Sequence, residues 1–597
     1  SCIKGITEEK AIEISQSFNE NWEVWQIVSY LEKFGIGPQS AEGIYKKLGP
    51  NTITTIEENP YILIDLTVRV NFAQIDQIAI KMGMDLENDK RIRSGIKYAL
   101  KLSTNNGHCA VLYENLIQFV KDLLNVSEVM IENNIIFLKT KNEIVLEDRE
   151  NQEWVYLYNY YVAEKNVAES LIALDNYLNV KEISNFEKKL KKIEKHSDLE
   201  LSEKQREAVI AVQEHNVCVI TGGPGTGKTT IIKTIIEMYK QEEKKVVLCA
   251  PTGRAAKRMS EATGEEAKTL HRLLEIGKTS SDELQNIDPN VEVAPLDADV
   301  IIVDEVSMVD IFLMNYLLQA IYKGTKLVLV GDSNQLPSVG PGNVLKDIIQ
   351  SERLTTITLN KIFRQAAKSK IILNSHKVNE GISIFSKDEQ NENEELLEDF
   401  FFINETNKLK VLENIISLCT GRLEKYGNYT FAQNIQVISP TKKGELGTKE
   451  LNKSLQQAIN PESEEKNERK YIDSVFREGD RIMQIKNNYD IYWEKREPTL
   501  EMGKGVFNGE YGTILNIDEV EKKVKIKFDD DKLVWYNFDE LEQIEHSYCI
   551  TVHKAQRKRV RCSYYANSTG CANVTYSYIA IHCNDKSKKI TYFNWKS

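Results

Sequence analysis

Residues 222–229 read Gly-Gly-Pro-Gly-Thr-Gly-Lys-Thr, and this stretch decides the fold. It matches the phosphate-binding loop pattern, in which a glycine and four further residues precede Gly-Lys-Ser/Thr. The apolar run 217–220 before it is typical of a strand, and residues 231–239 after it have helical periodicity. Because such a strand–turn–helix directs backbone N–H groups at a phosphate, the sequence predicts a nucleoside triphosphate site. A glycine-rich turn without a ligand is the alternative.

The loop and a segment upstream of it supply the candidate nucleotide ligands. We expect Lys228 to reach the β- and γ-phosphates and the Thr229 hydroxyl to bind Mg²⁺. The amide of Gln205, one short helix earlier, is a candidate for reading adenine; helix capping around Ser202 is the plain structural interpretation, and the two roles are compatible. The predicted nucleotide-binding residues are Gln205, Gly223, Pro224, Gly225, Thr226, Gly227, Lys228, Thr229 and Thr230.

Two carboxylates, Asp304 and Glu305, follow the apolar run 300–303. Phosphoryl transfer needs one carboxylate to hold Mg²⁺ and another group to orient the attacking water. We therefore expect Asp304 to bind Mg²⁺ together with Thr229, and Glu305 to act as the base.

Two further residues are catalytic candidates. Gln335 follows the strand-like run 326–330 and is placed to sense the γ-phosphate. Arg364, in Phe-Arg-Gln, is a candidate for neutralising charge in the transition state, with an ordinary surface arginine as the alternative. With Lys228, Asp304 and Glu305, these two complete the predicted catalytic set.

Length and composition favour a large globular protein without a membrane segment. The 597 residues predict about four domains. No apolar run reaches the roughly 20 residues of a membrane span, and the nine cysteines contain no C-x-x-C pair, which favours a reducing cytoplasm. The net charge of −12 argues against a polyanion-coating surface but leaves room for a basic groove. Ser1 in place of Met predicts a fragment or a processed N-terminus.

Eight segments occur in a fixed order along the chain. They are Gln205, the loop 222–230, Pro251-Thr-Gly-Arg-Ala-Ala-Lys257, Thr269-Leu-His-Arg-Leu-Leu274, Asp304-Glu-Val-Ser-Met308, Gly331-Asp-Ser-Asn-Gln335-Leu-Pro-Ser-Val339, Phe363-Arg-Gln365 and Val552-His-Lys-Ala-Gln556. Together they resemble the superfamily 1 DNA helicases of the RecD type, in the stand-alone subfamily with an extended N-terminal region. Each motif alone is shared with other ATPases, whereas the ordered set is specific.

The resemblance implies an α/β fold with two RecA-like P-loop lobes, an inserted SH3-like β-barrel, and a preceding region of helix–hairpin–helix and winged-helix structure. The expected domains are a helical region with helix–hairpin–helix motifs at 1–103, a winged-helix-like module and linker at 104–196, ATP-binding lobe 1 at 197–370, lobe 2 at 371–495 and 546–556, the barrel at 496–545 and an aberrant tail at 557–597.

The resemblance also implies an ATP-dependent, DNA-stimulated helicase of DNA repair or recombination that moves 5′ to 3′ on single-stranded DNA. We expect ATP and Mg²⁺ as cofactors, single-stranded DNA and duplex junctions as partners, and a monomer without membrane contact. The candidate DNA contacts are Thr252, Arg254, His271, Lys442, His553, Gly35 and Gly37. For Thr252, Arg254, His271 and His553 an ordinary polar residue of a loop is the alternative. Gly35 and Gly37 would grip a phosphate through hairpin amides, with a purely structural helical hairpin as the alternative.

The chain departs from the family pattern after residue 556, where Arg-Lys-Arg stands in place of Gly-Ser-Glu. The last 41 residues contain eight Lys or Arg and no Glu, and they do not read as a pair of core strands. If residues 557–559 are encoded AGG-AAG-CGA, reading one base later with a following G gives Gly-Ser-Glu. We therefore expect a one-base frame shift after codon 556, and a divergent tail that happens to be compatible is the alternative. The resemblance implies that the shift removes an arginine that contacts the γ-phosphate, so we expect the tail to impair ATP turnover. The alternative function is a nucleotide-switched DNA-binding protein without productive unwinding.

Overall fold

The structure is a computed structural model. It describes residues 22–32, 36–66, 71–177, 186–196, 200–276, 289, 291, 293–361, 368–384, 399–405, 407–423, 425, 435–496, 500–555, 562–566 and 589–594. Within these ranges, no helix combines the length and the apolar character that a membrane crossing requires.

The N-terminal region packs around one hydrophobic core that extends from Ile27 to Val155. Its helices are Trp22–Glu32, Pro38–Leu48, Thr52–Glu58, Ile62–Leu66, Phe72–Lys81, Asp89–Asn105, Tyr113–Leu124 and Glu128–Thr140. Strands β1 (Ala110–Leu112), β2 (Ile144–Arg149) and β3 (Gln152–Leu157) form an antiparallel sheet in the order β1-β3-β2.

The domain boundary expected at residue 104 falls in the last turn of the helix Asp89–Asn105. From Asp89 onward the elements follow the order helix, strand, helix, helix, strand, strand. The helix Asp89–Asn105 buries Ile92, Ile96 and Leu100 in the common core, so it serves both the helical region and the winged helix. A boundary inside one continuous core is not visible in the sequence.

The helix Tyr158–Asp175 attaches this region to the first lobe. The Tyr160 ring packs edge-on against Phe312 with centroids 5.0 Å apart. The Val217 N–H, at the start of the next sheet, donates to Asp175 Oδ1 at 3.0 Å. The winged helix is thereby fixed directly to the ATP-binding lobe.

The first lobe is a six-stranded parallel sheet in the order β6-β5-β7-β8-β4-β9. Its strands are β4 (Val217–Gly222), β5 (Val246–Ala250), β6 (Ala267–Thr269), β7 (Val300–Val303), β8 (Lys326–Gly331) and β9 (Thr355–Leu359). Its helices are Glu203–Glu214, Lys228–Lys240, Gly253–Thr263, Leu270–Leu273, Ile311–Ala320 and Val344–Gln350. Every residue of β4, β7 and β8 is buried, because packed helices cover both faces of the sheet.

The Lys- and Glu-rich helix Phe186–His196, expected to be part of a linker, belongs to the first lobe. Leu190 and Ile193, three residues apart on one side of the helix, are buried in the lobe's core. Lys189 forms an ion pair with Glu242 at 3.0 Å. The linker expectation was wrong because two apolar residues suffice to seat a helix whose other positions are charged.

The second lobe starts with the helix Lys370–Asn379 and strand β10 (Phe400–Asn404). The helix Lys408–Ser417, strand β11 (Ile435–Ser439) and the helix Thr448–Ile459 follow. Leu451 and Leu455 of the last helix pack with Val437 of β11 in the core of this lobe.

The barrel is inserted after a short hairpin of β12 (Glu468–Tyr471) and β13 (Ser474–Arg477). Its strands are β14 (Arg481–Gln484), β15 (Asn488–Lys495), β16 (Glu501–Val506), β17 (Tyr511–Asp518), β18 (Lys523–Phe528), β19 (Leu533–Asn537) and β20 (Ile544–His546). They form one antiparallel sheet in the order β16-β15-β19-β18-β17-β14-β20. This sheet begins well before the expected boundary at 496, because β14 and β15 hydrogen-bond to later strands.

Two segments of the tail join the second lobe as strands. Strands β21 (Cys549–Thr551), β22 (Cys562–Ala566) and β23 (Lys589–Asn594) complete a parallel sheet in the order β10-β23-β22-β11-β21. The expectation that the tail contains no pair of core strands is therefore wrong. Tyr, Thr, Ile and Phe, which favour extended backbone, are frequent in β22 and β23.

Candidate functional site

The glycine-rich loop leaves the carboxyl end of β4 and enters the helix Lys228–Lys240. Gly225 and Gly227 have φ angles of 78° and 82°, a left-handed conformation that favours glycine. The loop thereby wraps tightly around the helix N-terminus, where backbone N–H groups point toward an anion.

The Lys228 side chain lies inside this loop and hydrogen-bonds to its backbone. Its Nζ donates to the carbonyl oxygens of Gly222 and Gly223, the latter at 3.1 Å. The Thr226 hydroxyl donates to the Gly223 carbonyl at 2.8 Å. The ammonium group therefore sits at the loop's centre, where it can meet the phosphates that the loop encloses.

The two carboxylates lie at the carboxyl end of β7. Burial and the adjacent Glu305 carboxylate raise the pKa of Asp304 to about 6. Glu305 adopts left-handed backbone with φ 56°, a strained conformation for a non-glycine residue that is common at functional sites. Its N–H donates to Asp304 Oδ1 at 2.9 Å. A bound cation would relieve the charge that burial disfavours.

Sequence reasoning missed Arg258, which lies on the helix Gly253–Thr263. Its Nη1 is 3.4 Å from Glu305 Oε1, so it orients the candidate base. The helix begins in the Pro-Thr-Gly-Arg-Ala-Ala-Lys segment, and Arg258 follows that segment directly. Nothing in the local pattern separates it from a surface arginine.

Most of the predicted nucleotide-binding residues line one pocket. The pocket residues are Gly223, Pro224, Gly225, Thr226, Gly227, Lys228, Thr229, Arg258, Glu305 and Gln335. Gln335 is buried, and its Oε1 has no hydrogen-bond partner within the described part of the chain. Thr230 lies one residue further into the helix and does not line this pocket.

Gln205 takes part in a capping box with Ser202 at the start of the helix Glu203–Glu214, and its adenine-reading role stays a prediction. Its side-chain oxygen accepts from the Ser202 N–H at 2.9 Å, and the Ser202 hydroxyl accepts from the Gln205 N–H. Its amide nitrogen also donates to the Thr226 carbonyl at 3.4 Å. The Gln205 side chain therefore supports the phosphate-binding loop through this hydrogen bond to its backbone.

These residues fit Mg²⁺-ATP. The loop has the backbone of an anion site, the raised pKa of Asp304 indicates a carboxylate suited to a cation, and the buried Gln335 oxygen lacks a partner among the described residues. Thr229 and Asp304 would hold the Mg²⁺, which when bound neutralises charge on the phosphates.

His376 reaches the loop from the second lobe and was also missed. Its Cε1 is 2.9 Å from the position that a Cβ on Gly223 would take, so a side chain there would displace the imidazole ring. Its Nε2 is buried with no hydrogen-bond partner among the described residues. A histidine within an amphipathic helix carries no sequence signal, and only packing of the second lobe brings it here.

Replacing His376 with Ala is expected to raise the KM for ATP about tenfold. A hydrogen bond to a charged group contributes about 1.5–3 kcal/mol, and about 1.4 kcal/mol corresponds to a factor of ten. Steady-state ATPase measurements would compare this variant with His376→Gln, which keeps a donor, and with His108→Ala, which removes an exposed histidine. Equal KM values for all four proteins would exclude a role for His376 at the nucleotide.

Three candidate DNA contacts lie together at one edge of the first lobe. Thr252 follows β5 and His271 follows β6, and these two strands are parallel neighbours. Thr252, Arg254 and His271 line a cavity of about 490 Å³ between this edge and the barrel. The Arg254 guanidinium lies 4.4 Å from the centre of the Tyr511 ring of the barrel, and burial lowers its pKa.

Lys442 and His553 lie at the corresponding edge of the second lobe. β11 and β21, which precede them, are parallel neighbours with Ser439 opposite Thr551. Lys442 is exposed in the turn after β11, and His553 belongs to the short helix Val552–Ala555. The two residues therefore follow adjacent strands at one edge of the sheet.

The remaining candidates are less fully described. Gly37 precedes the helix Pro38–Leu48 with extended backbone, and the Ala41 N–H donates to its carbonyl at 3.0 Å. Gly35 and Arg364 lie outside the described residues.

Three family models match parts of the chain. An AAA domain matches residues 205–341, the HHH domain of the ATP-dependent RecD2 DNA helicase matches 20–110, and the SH3 domain of the ATP-dependent RecD-like DNA helicase matches 451–528. A Pif1 helicase from Bacteroides in complex with ADP-AlF3 and single-stranded DNA aligns over 67% of this chain and 94% of its own, with 16% identity and a TM-score of 0.37.

Two curated relatives match over most of their lengths. The ATP-dependent RecD2 DNA helicase of Deinococcus radiodurans is 27% identical over 93% of this chain and 72% of its own length. The RecBCD enzyme subunit RecD of Buchnera aphidicola is 30% identical over 67% of this chain and 73% of its own length. With the nucleotide pocket, the helix–hairpin–helix domain and the barrel, these matches show that the chain is an ATP-dependent DNA helicase and belongs to the RecD-like family of superfamily 1.

Proposed function

We propose that this helicase binds Mg²⁺-ATP in the pocket around Lys228 and moves 5′ to 3′ on single-stranded DNA as a monomer. Strand separation would occur where the single strand enters a duplex. The observation that carries this proposal is the contact of His376, from the second lobe, with Gly223 of the phosphate-binding loop. A nucleotide held there would be sensed by both lobes at once.

The residues of the pocket divide the chemical work. Lys228 binds the β- and γ-phosphates, and Thr229 and Asp304 hold the metal. Glu305, oriented by Arg258, accepts a proton from the attacking water. Gln335, at the end of the neighbouring strand β8, would report loss of the γ-phosphate to the rest of the lobe. Arg364 remains our candidate for charge in the transition state.

The DNA would cross the edges of both sheets. Thr252, Arg254 and His271 would contact it on the first lobe, and Lys442 and His553 on the second. The hairpin amides near Gly35 and Gly37 would hold a backbone phosphate without reading sequence. Opening and closing of the ATP pocket would change the spacing of the two edges and so advance the strand.

Duplexes that carry one single-stranded arm, either a 5′ arm or a 3′ arm, test the direction of travel. We expect weak ATP turnover and little unwinding from the chain as given, and ATP-dependent unwinding of the 5′-armed duplex alone once residues 557–597 are replaced by the sequence read one base later. In that restored chain Lys228→Ala should abolish unwinding because the γ-phosphate loses its cation. Lys233→Ala, which removes an exposed lysine from the same helix, is the matched control. Unwinding of the 3′-armed duplex would refute the proposed polarity.

The tail favours a second candidate, a nucleotide-switched DNA-binding protein. Residues 557–559 replace the family's Gly-Ser-Glu, and the arginine of the last motif is absent from this reading frame. In that case ATP would change the affinity for single-stranded DNA without unwinding either duplex. Measuring DNA affinity with and without ATP beside the unwinding assay separates the two candidates.

A further inference from the structure

The outer face of the barrel presents side chains that do not pack in the barrel core. Along β18 and β19, alternate residues such as Val524, Ile526, Val534 and Tyr536 are buried in the barrel core. The residues between them point outward, as the period of two in a strand requires. Lysines therefore follow one another along the outside of β18, at 523, 525 and 527.

Four of the outward residues form a row across four neighbouring strands. Lys504 of β16 is opposite Tyr492 of β15, and Lys525 of β18 is opposite Trp535 of β19. β15 and β19 pair with Trp493 opposite Val534, so the next outward position brings Tyr492 beside Trp535. We call Lys504, Tyr492, Trp535 and Lys525 the lysine–aromatic row.

Both rings of the row are open to solvent and each lies under a lysine. Tyr492 is 66% exposed and Trp535 is 42% exposed. Lys504 Nζ is 4.5 Å from the centre of the Tyr492 ring, and Lys525 Nζ is 5.1 Å from the centre of the Trp535 ring. Exposed aromatic rings are costly to leave in water, so a surface that presents two of them side by side is suited to a flat partner.

The charged side chains that flank the row form ion pairs with neighbouring residues. Lys523 and Lys527 form ion pairs with Glu521 at 3.5 Å and Asp531 at 3.0 Å. Glu494, which also points outward, pairs with Arg496 at 2.8 Å. The lysines of the row instead lie over the rings, so their charge is concentrated where the aromatic surface is.

The row is separate from the cavity between the barrel and the first lobe. That cavity is lined on the barrel side by residues such as Phe507, Tyr511 and Lys532. None of the four row residues lines it. A strand bound in the cavity would therefore leave the row accessible.

We propose that the lysine–aromatic row is a second binding site for single-stranded DNA. Bases would stack on Tyr492 and Trp535, and the phosphates on either side would meet Lys504 and Lys525. Non-specific single-strand sites combine these two features, aromatic platforms and adjacent cations. Duplex DNA hides its base faces and offers nothing to stack, so an unpaired strand is the better fit.

Binding stoichiometry of the full chain tests the proposal. A labelled dT oligonucleotide of about eight nucleotides falls within the site size of a small barrel, roughly 4–16 nucleotides. We expect the unaltered chain to bind a second equivalent that Tyr492→Ala/Trp535→Ala loses, with affinity at that site falling at least about fivefold per stacked base. Tyr492→Phe/Trp535→Phe should retain it, and Tyr322→Ala, which removes an exposed tyrosine of the first lobe, is the control.

Salt dependence gives an independent measurement. Each phosphate contact on a single strand contributes about 0.7 to the slope of log affinity against log salt. Lys504→Ala/Lys525→Ala should therefore reduce the slope at the second equivalent by about 1.4. Lys470→Ala, which removes an exposed lysine from the β12–β13 hairpin, should leave it unchanged.

Three outcomes would overturn the proposal. They are a second equivalent that survives the double alanine variant, the absence of any second equivalent in the unaltered chain, and a row that captures an acidic peptide in preference to dT. Failure of the motor proposal would look different, because the Lys228→Ala variant would then keep its ATP turnover and unwinding while the second equivalent of DNA remained bound.

Discussion

Replacing Glu305 with Gln is expected to lower ATP turnover by about 10²–10⁴-fold while ATP still binds. The amide keeps the size of the side chain but cannot accept the proton of the attacking water. Removing this charge also takes away one cause of the raised pKa of Asp304. The metal ligand would then be easier to ionise, so binding of Mg²⁺-ATP should not weaken.

Turnover and binding must be measured separately for this variant. Steady-state ATPase with saturating single-stranded DNA gives the first, and equilibrium binding of a fluorescent ATP analogue gives the second. Glu261→Gln, an exposed residue on the helix Gly253–Thr263, is the matched control. If Glu305→Gln turns over ATP at the unaltered rate, another group is the base and the proposed roles at β7 are wrong.

Replacing residues 557–597 with the sequence read one base later is expected to raise DNA-stimulated ATP turnover by about 10³–10⁵-fold. This is the effect of an arginine that neutralises transition-state charge in phosphoryl transfer. Read one base later, the codons of residues 581–586 permit Tyr-Thr-Ala-Met-Thr-Arg, and that sequence restores such an arginine. Because β22 and β23 already join the second lobe's sheet, the gain should come from chemistry more than from folding.

Two controls distinguish a gain in catalysis from a gain in folding. The thermal unfolding midpoint of the two chains should differ little if the sheet is complete in both. Changing the restored arginine to Ala should return turnover to the starting level. Equal ATPase rates in the original and restored chains would show that the tail does not limit the enzyme, and an in-frame coding sequence without an extra base would remove the frame-shift explanation.

The sequence alone determined the chemistry of the nucleotide site. The loop at 222–229, the Asp304-Glu305 pair and Gln335 each follow an apolar strand run, and parallel strands bring their carboxyl ends to one edge. Local sequence therefore specified both the residues and the side of the sheet where they meet. The barrel was predictable for a similar reason, since alternating apolar residues and Gly-containing turns are local signals.

Sequence patterns failed where the outcome depended on packing between distant segments. The helix Phe186–His196 looked like a linker, yet Leu190 and Ile193 seat it in the first lobe. The tail looked foreign to the fold, yet its two strands pair with β10 and β11. In both cases a few apolar or strand-favouring residues sufficed to hold the segment against a lobe. The surface of that lobe is formed by distant parts of the chain, so the local sequence does not show it.

Tertiary structure alone brought together the contacts that connect the parts of the molecule. His376 meets Gly223, Arg254 lies over Tyr511, and Tyr492 lies beside Trp535 only because folding places distant residues in register. No fixed separation in the sequence predicts these pairs, because each joins separate elements whose relative position is set by the burial of many side chains. The sequence by itself determined what chemistry the first lobe performs, and packing decided what surrounds and reaches that site.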